Sequence, residues 1–199
     1  MKKPAITRVP IHDLIASRWS GRAYDATRAV TQDEVLSLLE AARWAPSCFG
    51  DQPWRFVVWN RAGDPSGWQG VFDALSPGNQ GWVQDAPVLI LALADTVFTH
   101  NGQPNRWAQY DTGAAVENLC LQAEALGLMA HQMGGFDPER VRAVAGAPDQ
   151  FTLMSVISIG APLAQANIPE ALAERELAPR KRRELEELCF AGGWGKPLA

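Results

Sequence analysis

The chain has 199 residues with a formal net charge of −4, and 47% of them are hydrophobic against 20% charged. Those figures describe one globular domain and exclude disorder, a fibrous repeat and a broadly basic nucleic-acid binder. The longest apolar run, residues 86–94, has the length of a buried strand and falls well short of the ~20 residues that cross a bilayer.

Residues 10–17 read as a short helix, and residues 31–45 as the clearest helix of the chain. Thr31 and Glu34 have capping-box spacing, and Val35, Leu38, Leu39 and Ala42 form one apolar face before Pro46 stops the helix. Residues 55–60 are predicted as a strand, 61–68 as a loop and 69–75 as a short helix. The stretch 87–94, PVLILALA, is continuously apolar and so predicts a central strand buried on both faces. Residues 107–127 form a long helix of small residues, apolar on most sides, which belongs in a core or an interface, with Gly127 just past its end. A strand over 128–133 is followed by the Gly134-Gly135 turn. A helix over 137–145 has Asp137 as N-cap and Pro138 in its first turn, and 151–160 is another strand. Residues 161–199 are a tail without a strong strand. It carries the basic run Arg180-Lys181-Arg182-Arg183 and then a short amphipathic stretch; tails so poor in core residues often lie on another subunit. Strands and helices alternate irregularly, so the class is α/β or α+β.

Common catalytic signatures are missing: there is no GxSxG, P-loop or GxGxxG. Cys48, Cys120 and Cys189 are scattered and odd in number, which suits a reducing compartment. With no CxxC, no HExxH and three dispersed histidines, no metal site is expected. Lys2 and Lys3 are not followed by a long apolar stretch, so the N-terminus does not read as a secretory signal. If the chain is an enzyme, its difficult chemistry belongs on a cofactor. Three segments suit an anionic, planar one. Arg18-Trp19-Ser20-Gly21-Arg22 can surround a phosphate with guanidinium forks and a hydroxyl. The second segment is the loop at 45–56, and the third is the basic run at 180–183. Taken singly, the first also describes a solvated turn and the last a solvated helix start. The eight tryptophans suit planar ligands, subunit seams or a core equally well.

The order SRWSGRAYD, EAARWAPSCFGDQPWRFVV, GNQGWVQDAPVLILALAD, DTGAAVENLCLQAEALGL with GGFD, and a basic tail ending in WG resembles the FMN-dependent nitroreductase family from about residue 11 to 195. The resemblance implies an α+β nitroreductase-like fold, with a central mixed sheet of four to five strands flanked by helices. It implies one domain over 1–199 whose C-terminal arm, about 161–199, wraps the partner in an interlocked, obligate homodimer. FMN would sit at the dimer interface, and NADH or NADPH would be the electron donor. A nitroaromatic, quinone or similar acceptor would follow in the same pocket by a ping-pong mechanism. A related flavoenzyme is an alternative: an enone reductase, a dehydrogenase or an enzyme that consumes flavin with O₂. A flavin-binding module without turnover is another.

Residue by residue, the resemblance places Arg18, Ser20 and Arg22 on the FMN phosphate, ribityl chain and pyrimidine edge, with Trp19 adding backbone contacts. Pro46, Ser47 and Cys48 match a loop over the flavin from the other subunit, and Asn79 matches a donor to the ring's polar edge. Gly134 and Gly135 match the backbone facing N5, and Arg180 and Arg182 the pair closing on the phosphate. No side chain is expected to be catalytic in its own right. The chain departs from the family pattern at Gly50, Trp82 and Gly134, so Phe49 and Trp82 are expected either to wall the substrate pocket or to pack at the dimer seam. The expected setting is cytoplasmic, with neither membrane nor nucleic acid as a partner.

Overall fold

The computed structural model describes residues 3–198. Its chain order is α1 (Asp13–Ser17), α2 (Gln32–Arg43), β1 (Trp54–Asn60), α3 (Pro65–Ala74), α4 (Pro77–Val83), β2 (Val88–Asp95), α5 (Ala108–Ala125), β3 (Met129–Met133), α6 (Pro138–Ala145), β4 (Phe151–Gly160) and α7 (Glu170–Leu177). Short 3₁₀ turns occur at Cys48–Gly50, Gln165–Asn167 and Leu185–Glu187. The fold is α+β, and none of the described helices is long and apolar enough to cross a membrane.

The sheet has four strands in the order β1-β2-β4-β3, and every pairing is antiparallel where a mixed sheet was expected. The reason lies in one insertion. β2, α5 and β3 form a crossover whose two strands run parallel, as such a connection requires. β4 enters between them and runs antiparallel to both.

β2 is buried along its whole length. Val88, Ile90 and Ala92 join Leu38 of α2 and Ala115 and Leu119 of α5 on one face. Leu89, Leu91 and Leu93 join Val71, Trp82, Val83 and Val141 on the other. Each such aliphatic side chain contributes roughly 1.5–3 kcal/mol on full burial. The continuous apolar run of β2 is thus the consequence of two covered faces.

At α2 the capping box forms as the spacing predicts: Glu34 N–H donates to Thr31 Oγ1 at 3.2 Å, and Thr31 N–H donates to Glu34 Oε2 at 2.8 Å. α3 begins earlier than the apolar pattern suggests, inside the predicted loop. Asp64 accepts from Gly67 N–H at 2.9 Å and Pro65 occupies the first turn, so cap chemistry rather than periodicity starts it. The apolar pattern does not announce α4, which holds two glycines; Pro77 opens it and burial of Trp82 and Val83 secures it. One face of α5 is buried in the core, while Tyr110 remains 76% exposed.

The first part of the tail packs on its own chain, while most residues beyond Arg180 are exposed. Asp25 N–H donates to Ala161 O at 2.9 Å, and Leu163 N–H to Ala23 O at 2.9 Å. α7 then rests Leu172 on the second core cluster and buries Glu176.

A candidate anion-binding cleft

α1 ends at Ser17, and the chain crosses the edge of the core as an extended segment. Gly21 permits the crossing: a Cβ there would lie 2.2 Å from Met129 Sδ and 3.0 Å from the Trp19 ring. The backbone therefore lies directly against β3. Lys3 Nζ stands 4.2 Å over the Trp19 ring, a cation–π contact that tethers the N-terminal segment.

Arg18, Trp19, Ser20, Arg180 and Arg182 line one cleft of about 190 Å³. Arg180 is fixed by donating to Lys3 O at 2.9 Å and Ala16 O at 2.6 Å. Arg18 Nε lies 3.3 Å from Glu117 Oε1 on α5. Among the described residues, neither Arg180 nor Arg182 has a carboxylate within ion-pair distance. Burial, then the charges of Arg18 and Arg182, hold the Arg180 guanidinium below its usual range. Three guanidiniums so placed repel one another, and a multiply charged anion with a hydroxyl donor beside it relieves that repulsion. An adjoining cleft of about 460 Å³ shares Arg180 and Arg182 and has Ile6, Val9 and Ile11 along it.

Arg22 is not among the residues lining the smaller cleft. Its N–H donates to Glu176 Oε1 at 2.8 Å, and its guanidinium carbon lies 5.7 Å from the Trp82 ring centre. Trp82 corrects an expectation. It is 4% exposed, its ring 4.4 Å from that of His131 and stacked at 6.4 Å on Tyr24. A side chain enclosed in its own core cannot wall an open pocket; here it is a platform below Arg22.

Asn79, Gly134 and Gly135 meet at a second corner. Asn79 Nδ2–H and Ser76 N–H both donate to Gly135 O, each at 2.9 Å. A Cβ on Gly135 would come within 2.7 Å of Ser76 Oγ and 3.0 Å of Asn79 Nδ2, whereas Gly134 has open space around it. The contact is close because residue 135 has no side chain.

The loop at 46–49 has other neighbours. Cys48 N–H donates to Asp111 Oδ2 at 2.9 Å, and Gln52 N–H to Ser47 Oγ at 3.0 Å. Phe49 takes a left-handed backbone (φ 55°) and is 82% exposed, with its ring edge-on to Phe98 at 5.8 Å and to His100 at 5.4 Å. Pro46 is exposed and the Cys48 thiol is half-buried. Within one chain no hydrogen bond or ring contact among the described residues joins this loop to the arginine cleft.

Sequence reasoning missed Asp111, Glu176 and His131. His131 had a readable signal: it alternates with Met129 and Met133 on β3, which puts it on an inward face. Glu176 had none, since an acidic residue in EALAEREL looks like a solvated helix position.

Comparison with known proteins adds to this geometry. The profile of the Nitroreductase family matches residues 15–76 and 60–161. The chain is 37% identical over 153 residues to an uncharacterized 15.4 kDa protein of Mycolicibacterium smegmatis, spanning 72% of this chain and 99% of that protein. It is 31% identical over 164 residues to an NADH dehydrogenase of Thermus thermophilus, spanning 67% and 78%. Among solved structures, an oxidoreductase containing FMN superposes with a TM-score of 0.87 at 34% identity, over 96% of each chain. A structure solved in complex with FMN from Desulfovibrio desulfuricans superposes with a TM-score of 0.72 at 29% identity, over 94% of this chain and 99% of the other.

Proposed function

The chain belongs to the nitroreductase family, and on that premise we propose that it is an NAD(P)H-dependent oxidoreductase whose cofactor is FMN. The observation that carries the reading is the single cleft holding Arg18, Ser20, Arg180 and Arg182, drawn from the two ends of the sequence. Their donor set fits a phosphate monoester of about two negative charges. Relatives named NADH dehydrogenase and solved structures named for FMN support the same class.

In this reading Arg18, Arg180 and Arg182 hold the phosphate, and the Ser20 hydroxyl and the backbone at Trp19 complete its shell. Arg22 contributes positive charge near the pyrimidine edge, where it favours an anionic reduced ring. Asn79 and the peptide groups of Gly134 and Gly135 serve the ring's polar atoms. Pro46, Ser47 and Cys48 cover the ring from a second subunit, and Phe49 offers the acceptor an aromatic wall. FMN supplies hydride chemistry when bound, so no side chain has to act as a nucleophile. NADH or NADPH and then a quinone or nitroaromatic would use the same pocket in turn.

The site is completed by a second copy of the chain. Trp44, Tyr110 and Trp194 are 73%, 76% and 92% exposed, and aromatic side chains so placed suit a subunit seam. The tail beyond Arg180 would continue onto that partner as an arm.

Titrating the apoprotein with FMN, then adding NADH or NADPH without oxygen, tests the reading. Saturable FMN uptake, bleaching by the nicotinamide and recovery of colour with a quinone are the expected results. A protein that takes up no FMN refutes the cofactor, and one that takes it up but is not reduced refutes the activity. Sedimentation of a monomer that holds FMN refutes the shared site.

A further inference from the structure

The two polar groups of one peptide bond, Gly21–Arg22, are each held by a buried titratable side chain outside the arginine cleft. His131 Nδ1 lies 2.9 Å from Gly21 O. A carbonyl can only accept, so Nδ1 carries the proton. The Arg22 N–H donates to Glu176 Oε1 at 2.8 Å. His131 is 9% exposed and Glu176 2%. One comes from β3 and the other from α7 in the C-terminal tail, so the peptide is gripped from two elements. The grip extends to the side chain: the His131 ring packs at 4.4 Å on Trp82, over which the Arg22 guanidinium lies.

Burying a carboxylate and an imidazole costs free energy unless their hydrogen bonds return it. Packing alone would be served as well by leucine at either position. What these two groups add is direction, because each fixes one end of a peptide dipole. We propose that His131 and Glu176 are positioning residues that clamp the Gly21–Arg22 peptide and thereby set the place of the Arg22 guanidinium in the FMN site. The proposal rests on the cofactor reading above and names how one of its cations is aimed. It also gives the tail a structural role. Glu176 ties α7 to the cofactor segment, and Lys3 Nζ donates to Glu176 O at 2.8 Å from the other side.

The test is FMN affinity, measured by titration of apoprotein, in paired variants. Glu176→Leu and His131→Leu remove the clamp and should each weaken FMN binding about tenfold. Glu176→Gln keeps an acceptor for the Arg22 N–H, and His131→Asn keeps a donor near the Nδ1 position; both should stay within about threefold of wild type. Because the clamp acts through Arg22, the Leu substitutions should have almost no further effect on affinity in an Arg22→Ala background. The melting temperature of each apoprotein identifies any variant that fails to fold, and for such a position the smaller Glu176→Ala or His131→Ala, with and without Arg22→Ala, carries the comparison. Leu variants that bind FMN like wild type, or that lose as much affinity without Arg22 as with it, overturn the clamp. Wild-type protein that takes up no FMN overturns the cofactor reading and the clamp's role in it together.

Discussion

The arginine cleft and the Asn79–Gly135 corner lie in one molecule and are built by opposite means. In the cleft, long cationic side chains converge, and its closing contact joins Arg180 to Ala16 across 164 residues. At the corner, one short amide meets a backbone carbonyl across 56 residues, made possible by a missing side chain. The first arrangement leaves Arg180 and Arg182 without a carboxylate partner among the described residues, and an anion relieves their repulsion. The second is satisfied within the chain and contributes shape. The cleft should therefore respond strongly to anions and salt, and the corner far less, since its contact carries no net charge.

The largest way to break this contrast is to remove charge from the cleft. Arg180→Ala and Arg18→Ala should each lower FMN affinity about ten- to a hundredfold, the loss of a charge-assisted hydrogen bond of roughly 1.5–3 kcal/mol. Inorganic phosphate should compete with FMN in wild type and lose that ability in both variants. Calorimetric titration measures both effects.

Acid should act next, through the face of β3 beneath the cleft. Burial, with the Arg22 and Arg18 charges opposing a proton as well, holds His131 down at about 4 from 6.5. The unfolded chain then takes up the proton first. Stability is whole above about 6.5 and declines as pH falls towards about 4, by an amount on the order of 3 kcal/mol. Glu34 extends the same trend. Its hydrogen bond from Arg28 leads the causes that lower it to about 2, so its contribution is present above about 4.5 and fades as pH falls through about 2. Denaturant midpoints against pH should show a sloping acid limb between pH 6.5 and 4 that His131→Asn flattens.

At the corner, Asn79→Ala removes one neutral hydrogen bond. It should cost about 1 kcal/mol, a fall in melting temperature of roughly 2–4 °C in the apoprotein. Equal losses of FMN affinity at the corner and in the cleft would erase the contrast. Phe49→Ala should have the smallest effect on stability, within about 0.5 kcal/mol, because the ring is largely in solvent. It should instead change the ratio of kcat/KM between a bulky quinone and a small nitroarene.

How much of this was legible depended on how local each signal is. Thr31 and Glu34 meet within one helical turn, and Asp137 with Pro138 does the same, so both helix starts could be read directly. The apolar run of β2 declared its two covered faces, but not which strand would lie beside it. Arg18, Ser20, Arg180 and Arg182 were each weak patterns; their chemistry grouped the two segments as candidates for one anionic cofactor, and the resemblance gave each residue a role. Trp82 was misplaced because an aromatic beside a glycine gives no local clue to the face it takes; the packing of α4 decided that.

The sequence by itself determined most of the elements, though not α4 or α7, together with the apolar strand at the centre and the stock of cations available to an anion. Those properties follow from neighbouring residues along the backbone, where spacing alone sets who meets whom. Only the tertiary structure decided that β4 divides β2 from β3, and that the tail returns to bury Glu176 against the Gly21–Arg22 peptide. Such choices are made among surfaces distant in sequence, by which apolar faces and unpaired polar groups find partners. No local pattern records them.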